Sequence, residues 1–366
     1  MVHNTNKSLE MYRTFSCCCV ILLFAACSGQ EQDPMAFKPP VFKEIRQIIV
    51  TPFSDTFVLG GAFLMEDIDD FIIIGTYSEN KYLHIFKKES LSYVKSFASY
   101  GQGPGEMIGP PKIRTNEDKS VLYLLQYYNG KNEYWCYDME NVLYDIRVHP
   151  KWIEKIVLFR DEGAQYLGYA SDYLAWKDKR LFSGSLMHRL EVQDTLGNTL
   201  FLYDDYPKVR MSDTDVFKFT YIHSSLALKP DMSRFVIASY IGCIIEIFSV
   251  DAFGKMEKEI EKRFHPPIYE VRNGKFATVS GKTIIGISDI SVTDEFIYAA
   301  YTGNVYTHEK GGLANIIAVF DWSGNPICQY VLDWKIYRFI VDSNRNRCYL
   351  VGIDKNDEVL IGYFDI

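Results

Sequence analysis

The sequence predicts an all-β fold, a ring of six blades of four antiparallel strands, and three observations predict it. Past residue 44 the 366-residue chain has almost no 3.6-residue periodicity; short runs rich in Ile, Val, Tyr and Phe alternate with turn signals, the pattern of many short strands. One run recurs six times: FIIIGTY ending at Tyr77, VLYLLQY at Tyr127, RLFSGSL at Leu186, RFVIASY at Tyr240, EFIYAAY at Tyr301 and RCYLVGI at Ile353. The spacing runs from 50 residues (77 to 127) to 61 (240 to 301), the period of a blade with four strands. A turn then recurs in phase with it. EVQDTLGN, FSVDAFGK and AVFDWSGN align at Asp194, Asp251 and Asp321, each with glycine three positions later, at Gly197, Gly254 and Gly324.

From the N-terminus onward, the first element is a targeting segment. MYRTFSCCCVILLFAAC has Arg13 ahead of an apolar run from Phe15 to Ala26, too short to cross a bilayer and suited to a secretory signal. Phe24-Ala25-Ala26-Cys27 resembles the bacterial lipobox, which implies cleavage before Cys27 and its diacylation; the other reading is an ordinary signal with an incidental cysteine. Met11 is a candidate initiator. The polar, proline-bearing stretch SGQEQDPMAFKPP that follows has the composition of a spacer. The expected organisation is therefore a signal over 1–26, a tether over 27–43 and the β domain over 44–366. It places the protein in a bacterial cell envelope, held on the membrane through the anchor, at the outer membrane and facing the periplasm or the surface.

Within the domain, each Asp-x-x-Gly is expected to be a tight turn between two strands, its carboxylate accepting from turn N–H groups and glycine taking the positive φ. WCYDMEN is a fourth copy, with Asp138 and Asn141, and IFKKESLS a degraded fifth, with Glu89 and Ser92 in the two positions. One carboxylate per turn is a poor calcium site. The last copy, VLIGYFDI, reaches Asp365 and the chain stops, so the sixth blade lacks its fourth strand. EIRQIIV, residues 44–50, is an unassigned strand at the other end of the domain, and an N-terminal strand of this kind closes the ring.

SYGQGPGEMIGPPKI, residues 99–113, first reads as a phosphate loop, and that reading fails. Glu106 stands where the dinucleotide fingerprint needs a third glycine, Pro104 removes an N–H, no Gly-Lys-Ser/Thr is present, and Pro110 and Pro111 preclude a following helix. The segment resembles the blade-to-blade crossing of NHL-repeat and TolB-like six-bladed propellers, which leave an outer strand through Gly-x-Gly-Pro-Gly-Gln/Glu-aromatic and enter the next blade through Pro-x-x-Ile. Gly101, Gly103, Pro104, Gly105, Glu106, Pro110 and Ile113 match, and Met107 replaces the aromatic. The resemblance implies that crossings and second-to-third-strand loops share one face around a central canal, with the Asp-x-x-Gly turns on the other.

On that face the candidate ligand-binding residues are Tyr77, Glu79, Asn80, Tyr127, Tyr128, Asn129, Tyr240, Tyr301 and Asn304, since rings stack on sugars or peptides while amides orient them. His223, before an inner strand, joins them, with Glu270 and Asp289 as further residues able to line the canal. Between-blade packing is the competing role for each tyrosine. The irregular third blade carries two long junctions, YASDYLAWKDKR and YPKVRMSDTDVFKF. No Gly-x-Ser-x-Gly elbow and no His-Glu-x-x-His occurs, and the histidines are dispersed, so no metal ligand is assigned and no cofactor is expected. Cys136, Cys243, Cys328 and Cys348 have no metal-binding spacing and read as buried thiols, with a Cys328–Cys348 disulfide as the alternative. A net charge of -8 argues against nucleic acid. The expected function is a non-catalytic binding module for a peptide, glycan or partner protein. The alternative is a lactonase-like hydrolase or lyase with a divalent cation in the canal.

Overall fold

The computed structural model describes residues 36–366 except 54–56, 58, 79, 91, 117, 129–130, 145–151, 157–171, 177–178, 184–187, 195, 208–217, 223, 252, 254, 273–274 and 308–311. The signal, Cys27 and the first part of the tether lie outside the described residues, as do parts of the first long junction of the third blade and most of the second.

Among the described residues six four-stranded blades follow one another along the chain, four of them separate antiparallel sheets and the last two joined in one eight-stranded sheet. Blade one is β3 (Leu64–Ile68), β4 (Phe71–Ser78), β5 (Lys81–Lys87) and β6 (Ser92–Ser99). Blade two is β7 (Lys112–Thr115), β8 (Val121–Tyr128), β9 (Lys131–Asp138) and β10 (Trp152–Ile156). Blade three is β11 (Asp172–Trp176), β12 (Lys179–Ser183), β13 (Leu190–Asp194) and β14 (Thr199–Tyr203). Blade four is β15 (Ser225–Leu228), β16 (Arg234–Ala238), β17 (Cys243–Val250) and β18 (Met256–His265). A separate hairpin, β19 (Tyr269–Arg272) with β20 (Lys275–Thr278), precedes β21 (Ile287–Val292), β22 (Phe296–Tyr301) and β23 (Ala314–Asp321) of blade five. The next strand, β24 (Pro326–Asp342), runs through two blades. Its first half is the outer strand of blade five, paired with β23, and its second half is the inner strand of blade six, paired with β25 (Arg347–Ile353), which pairs with β26 (Val359–Asp365). The recurrent runs of the sequence are thus the second strands of the six blades.

These strands lack apolar/polar alternation because each middle strand is covered on both faces by neighbouring blades. In β4, residues 72–76 are all buried. Ile73 packs with Leu122, Leu124 and Trp135 of blade two, whereas Ile72 and Ile74 pack with Tyr349 and Val351 of blade six. Each such side chain contributes about 1.5–3 kcal/mol of burial. Outer strands see solvent, and β18 alternates over its first five residues before becoming half-buried.

Ring closure differs in register from the expectation. An N-terminal strand does complete blade six, but it is β2 (Thr51–Pro52), paired antiparallel with Tyr363 and Gly362 of β26. Residues 44–48 form β1 (Glu44–Ile48), a fifth strand laid parallel on the outer half of β24, Glu44 opposite Cys328 and Ile48 opposite Leu332. Two contacts fix the crossing between them. The Val50 N–H donates to Asp333 Oδ1 at 3.0 Å, and a Cβ on Gly362 would stand 2.5 Å from Val50 Cγ1, so only glycine lets the segment lie that close.

The seam where blade one meets blade six also contains a buried ion pair. Lys88, in the β5–β6 turn, is 1% exposed, and its Nζ lies 2.7 Å from both Asp67 of blade one and Asp342 of blade six. Arg189 and Glu246 pair similarly between blades three and four, under the rings of Tyr206 and Tyr221.

The Asp-x-x-Gly turns form as expected. Asp194 Oδ1 accepts from Leu196 N (2.9 Å) and Asn198 N (2.8 Å), and Asp321 from Ser323 N (2.9 Å) and Asn325 N (2.8 Å). The amide of Asn198, with these N–H groups, holds the Asp194 carboxyl below its ordinary range. Asp138 departs from the pattern. The chain enters a short helix, α1 (Met139–Tyr144), whose Asn141 N–H donates to Asp138 Oδ1 at 3.1 Å, so this aspartate caps a helix instead of a hairpin. The four cysteines after residue 35 are free thiols, so the Cys328–Cys348 disulfide is not formed.

Two predictions follow from the seam and from the core of blade one. Lys88→Met leaves Asp67 with Lys119 and Asp342 with Arg345 as their remaining cations, and the urea midpoint should fall by the equivalent of about 1–3 kcal/mol; an unchanged or raised midpoint contradicts the role given to this lysine. His84 is fully buried, with Nδ1 2.7 Å from Ser96 Oγ and no partner at Nε2, and burial lowers its pKa from 6.5 to about 4. The unfolded chain then binds the extra proton, so this stabilisation is complete above pH 6.5 and lost as pH falls toward 4. Denaturant melts at pH 7 and pH 5 should differ by about 2 kcal/mol from this group, and His84→Phe should shrink the difference.

Candidate functional site

Each inner strand begins where a blade crossing ends, so the six strands run in one direction from the crossing-loop face. Together they enclose a canal of about 870 Å³, lined by residues of all six blades. The rim at the crossing-loop end includes Phe63, Lys112, Tyr240 and Tyr337, and Asp289, Arg338, Glu66 and Arg114 lie deeper.

The charges of this layer are fixed by main-chain groups as much as by one another. Arg338 donates Nε to the Phe63 carbonyl (2.8 Å) and Nη1 to the Tyr337 carbonyl (2.6 Å). Asp289 Oδ2 accepts from Phe339 N at 3.1 Å; burial raises its pKa, and the charges of Arg338, Lys112 and Arg114 oppose that rise. Arg114 Nη1 stands 3.7 Å from Glu66 Oε2. At the far mouth Asp67, Asp69, Asp70 and Asp342 meet Lys88, Lys119 and Arg345 around a second cavity of about 430 Å³.

Beside the rim lies an aromatic platform. Tyr82 is buried beneath Tyr77 (ring centroids 5.4 Å) and Tyr100 (5.8 Å), which are 62% and 57% exposed. Phe63 touches Tyr77 at 5.5 Å and also lines the canal, so platform and canal are continuous. The glycine-proline loop fixes the platform. Tyr100 N donates to the Asn80 carbonyl (2.9 Å), Gly101 N to Met107 O (3.0 Å), and the Tyr82 hydroxyl to Ile108 O (2.9 Å). Glu106 Oε2 accepts from Gly103 N at 2.9 Å, so the loop's own carboxylate occupies the place an anion would take. Met107, in the aromatic position of the motif, is fully buried.

The sequence-derived candidates divide into three groups. Tyr77 and Asn80 are exposed at the β4–β5 hairpin, Asn80 at φ 58°. Tyr240 lines the canal, its hydroxyl lying over Gly312. Its hairpin is held by Gly286 N to Tyr240 O (2.7 Å), an approach so close that a Cβ on Gly286 would be 1.9 Å from Gly242 O. Asn304 is exposed in a loop of blade five, away from the canal lining. Tyr301 is 7% exposed and its hydroxyl is 2.8 Å from His265 Nε2, so it serves between-blade packing. Tyr127 and Tyr128 end β8, while Glu79, Asn129 and His223 lie outside the described residues. Of the further candidates Asp289 is in the canal, and Glu270 stands on β19, paired with Arg272. Among the described residues no three His, Cys, Asp or Glu side chains gather as a metal site. Sequence reasoning missed Phe63, Tyr100, Lys112, Arg114, Tyr337 and Arg338. Tyr100 sits within the crossing loop already singled out, and Tyr337 and Arg338 are hidden in the uninterrupted β24.

The platform's rigidity can be tested at one bond. Tyr82→Phe removes the tie to Ile108, which should cost about 1 kcal/mol and speed limited proteolysis between residues 99 and 113; an unchanged cleavage rate contradicts it.

Comparison with known proteins agrees with this architecture. Among solved structures the chain is similar to a Bacteroides fragilis protein named as exported (12% identity, TM-score 0.53, covering 88% of this chain and 99% of that one). It is likewise similar to the Cps50 (Swd1) β-propeller domain of Myceliophteria thermophila (10% identity, TM-score 0.51, 85% and 99%). At these identities the likeness concerns the fold alone. No curated protein matches the chain. The model of the family described as TolB-like 6-blade propeller-like matches residues 41–344, and the chain belongs to that family.

Proposed function

We propose that the protein is a lipid-anchored module of the bacterial cell envelope that binds without catalysis, taking a peptide, glycan or partner protein at the crossing-loop mouth of its canal. One observation carries the reading: Phe63 joins two exposed, rigidly held tyrosines to a canal large enough for a ligand end group. The tyrosines supply flat apolar contact at low entropic cost, and the Asn80 amide at the same hairpin supplies orientation. The lipobox-like Cys27 and the polar spacer after it support the envelope address and attachment through diacylglycerol.

Two arms test this. Tyr77→Ala/Tyr100→Ala should weaken binding of whatever glycan or peptide the wild type selects from mixed arrays by about tenfold or more, equivalent to about 1.4 kcal/mol. Unchanged binding removes the platform from the reading. Cys27→Ser should shift the protein from the membrane to the soluble fraction and abolish incorporation of labelled palmitate; a variant that stays lipidated refutes the anchor.

A further inference from the structure

The canal is electrically asymmetric along its axis. At the aromatic rim and just beneath it Lys112, Arg114 and Arg338 outnumber Glu66 and Asp289, whereas at the far mouth the four aspartates are matched by Lys88, Lys119, Lys229 and Arg345. The asymmetry is set against a chain of net charge -8. Arg338 is aimed by two carbonyls, neutral acceptors that fix its guanidinium without cancelling its charge. Its Nε bonds the carbonyl of Phe63, the residue shared by platform and canal. A group entering from the crossing-loop face therefore meets ring faces first and a cationic layer next.

Resting on the binding reading above, we propose that the ligand is an acidic glycan, its sugar rings stacked on Tyr77, Tyr100 and Phe63 and a ring carboxylate reaching Arg338, with Lys112 and Arg114 completing the cationic layer. A pyranose presents a flat C–H face to an aromatic ring and hydroxyls to an amide such as Asn80, and a uronate or sialate adds the planar anion that a guanidinium pairs in bidentate fashion. A neutral sugar offers the Arg338 guanidinium no such anion. The carboxylate of Asp289, bonded to Phe339 N, competes with the ligand for the same cations.

The test uses full-length protein in detergent on an array of hexuronate- and sialate-bearing oligosaccharides, each beside its carboxyl-reduced counterpart, with peptides carrying free C-termini as a third set. At least one acidic glycan should bind, and should lose about tenfold or more in affinity on carboxyl reduction and again in Arg338→Met. Asp289→Asn keeps an acceptor for Phe339 N but removes the competing charge, and should tighten the same glycan several-fold. This second variant guards against Arg338→Met acting through its two lost main-chain bonds. Acidic and reduced glycans binding alike overturns the inference, as does binding of peptides alone, or failure of every acidic glycan. If neutral glycans or peptides bind and Tyr77→Ala/Tyr100→Ala abolishes that binding, the general reading stands without this one. If no probe binds at all, both fall.

Discussion

The structure depends on each blade covering a face of the next. Four twisted strands cannot bury both of their faces alone, and in this chain the middle strands are apolar on both. Ile73 packs against blade two and Ile72 and Ile74 against blade six, so an opened ring would bare the apolar faces of its end blades. The same demand applies at the seam, where residues 51–52 meet the last strand, β26. There Phe53, Ile72 and Phe86 share a cluster with Tyr349 and Ile361, and Lys88 lies between two aspartates from opposite sides. Such a pair gains little net energy over an apolar filling, and it ties blade one to blade six at a single point.

The canal is a product of the same constraint. Inner strands are short, the β3 and β7 strands having 5 and 4 residues, and their unshared side chains converge on the axis, so the axis collects whatever polar groups the first strands carry. Neighbouring blades contribute charges that no local segment could pair. Asp289 of blade five meets the N–H of Phe339 in blade six, and Arg338 reaches back to Phe63 before blade one.

Much of this architecture was legible in the residues. All six second strands, the three Asp-x-x-Gly hairpins and the crossing loop stand where the sequence pattern puts them, because they rest on local turn chemistry and on runs buried on both sides. Asp138 misled because an aspartate caps a helix by the same hydrogen bond with which it caps a turn. An equivalent turn at Asp354 escaped notice, since Asp357 adopts φ 62° where glycine stands in the others. The junction between blades five and six was invisible, since PICQYVLDWKIYRFIVD carries no turn signal across its 17 residues. The site was less legible than the fold. Tyr77, Asn80, Tyr240 and Asp289 were accessible from their positions beside turns or on an inner strand, but a cationic layer assembled from blades two and six has no signature in any one stretch.

The N-terminal segment decides how force would reach the domain. From Lys38, whose N–H donates to Arg263 O of blade four, it passes Lys43, bonded to Ile327 O, runs as β1 along blade five and ends paired in blade six. A pull applied at residue 37 is therefore met by the Lys38 and Lys43 bonds and then by the parallel five-residue ladder of β1. The two-residue pairing that closes the ring lies behind that ladder and is spared from peeling. Force entering at this end is shared by blades four and five before it reaches the ring closure in blade six.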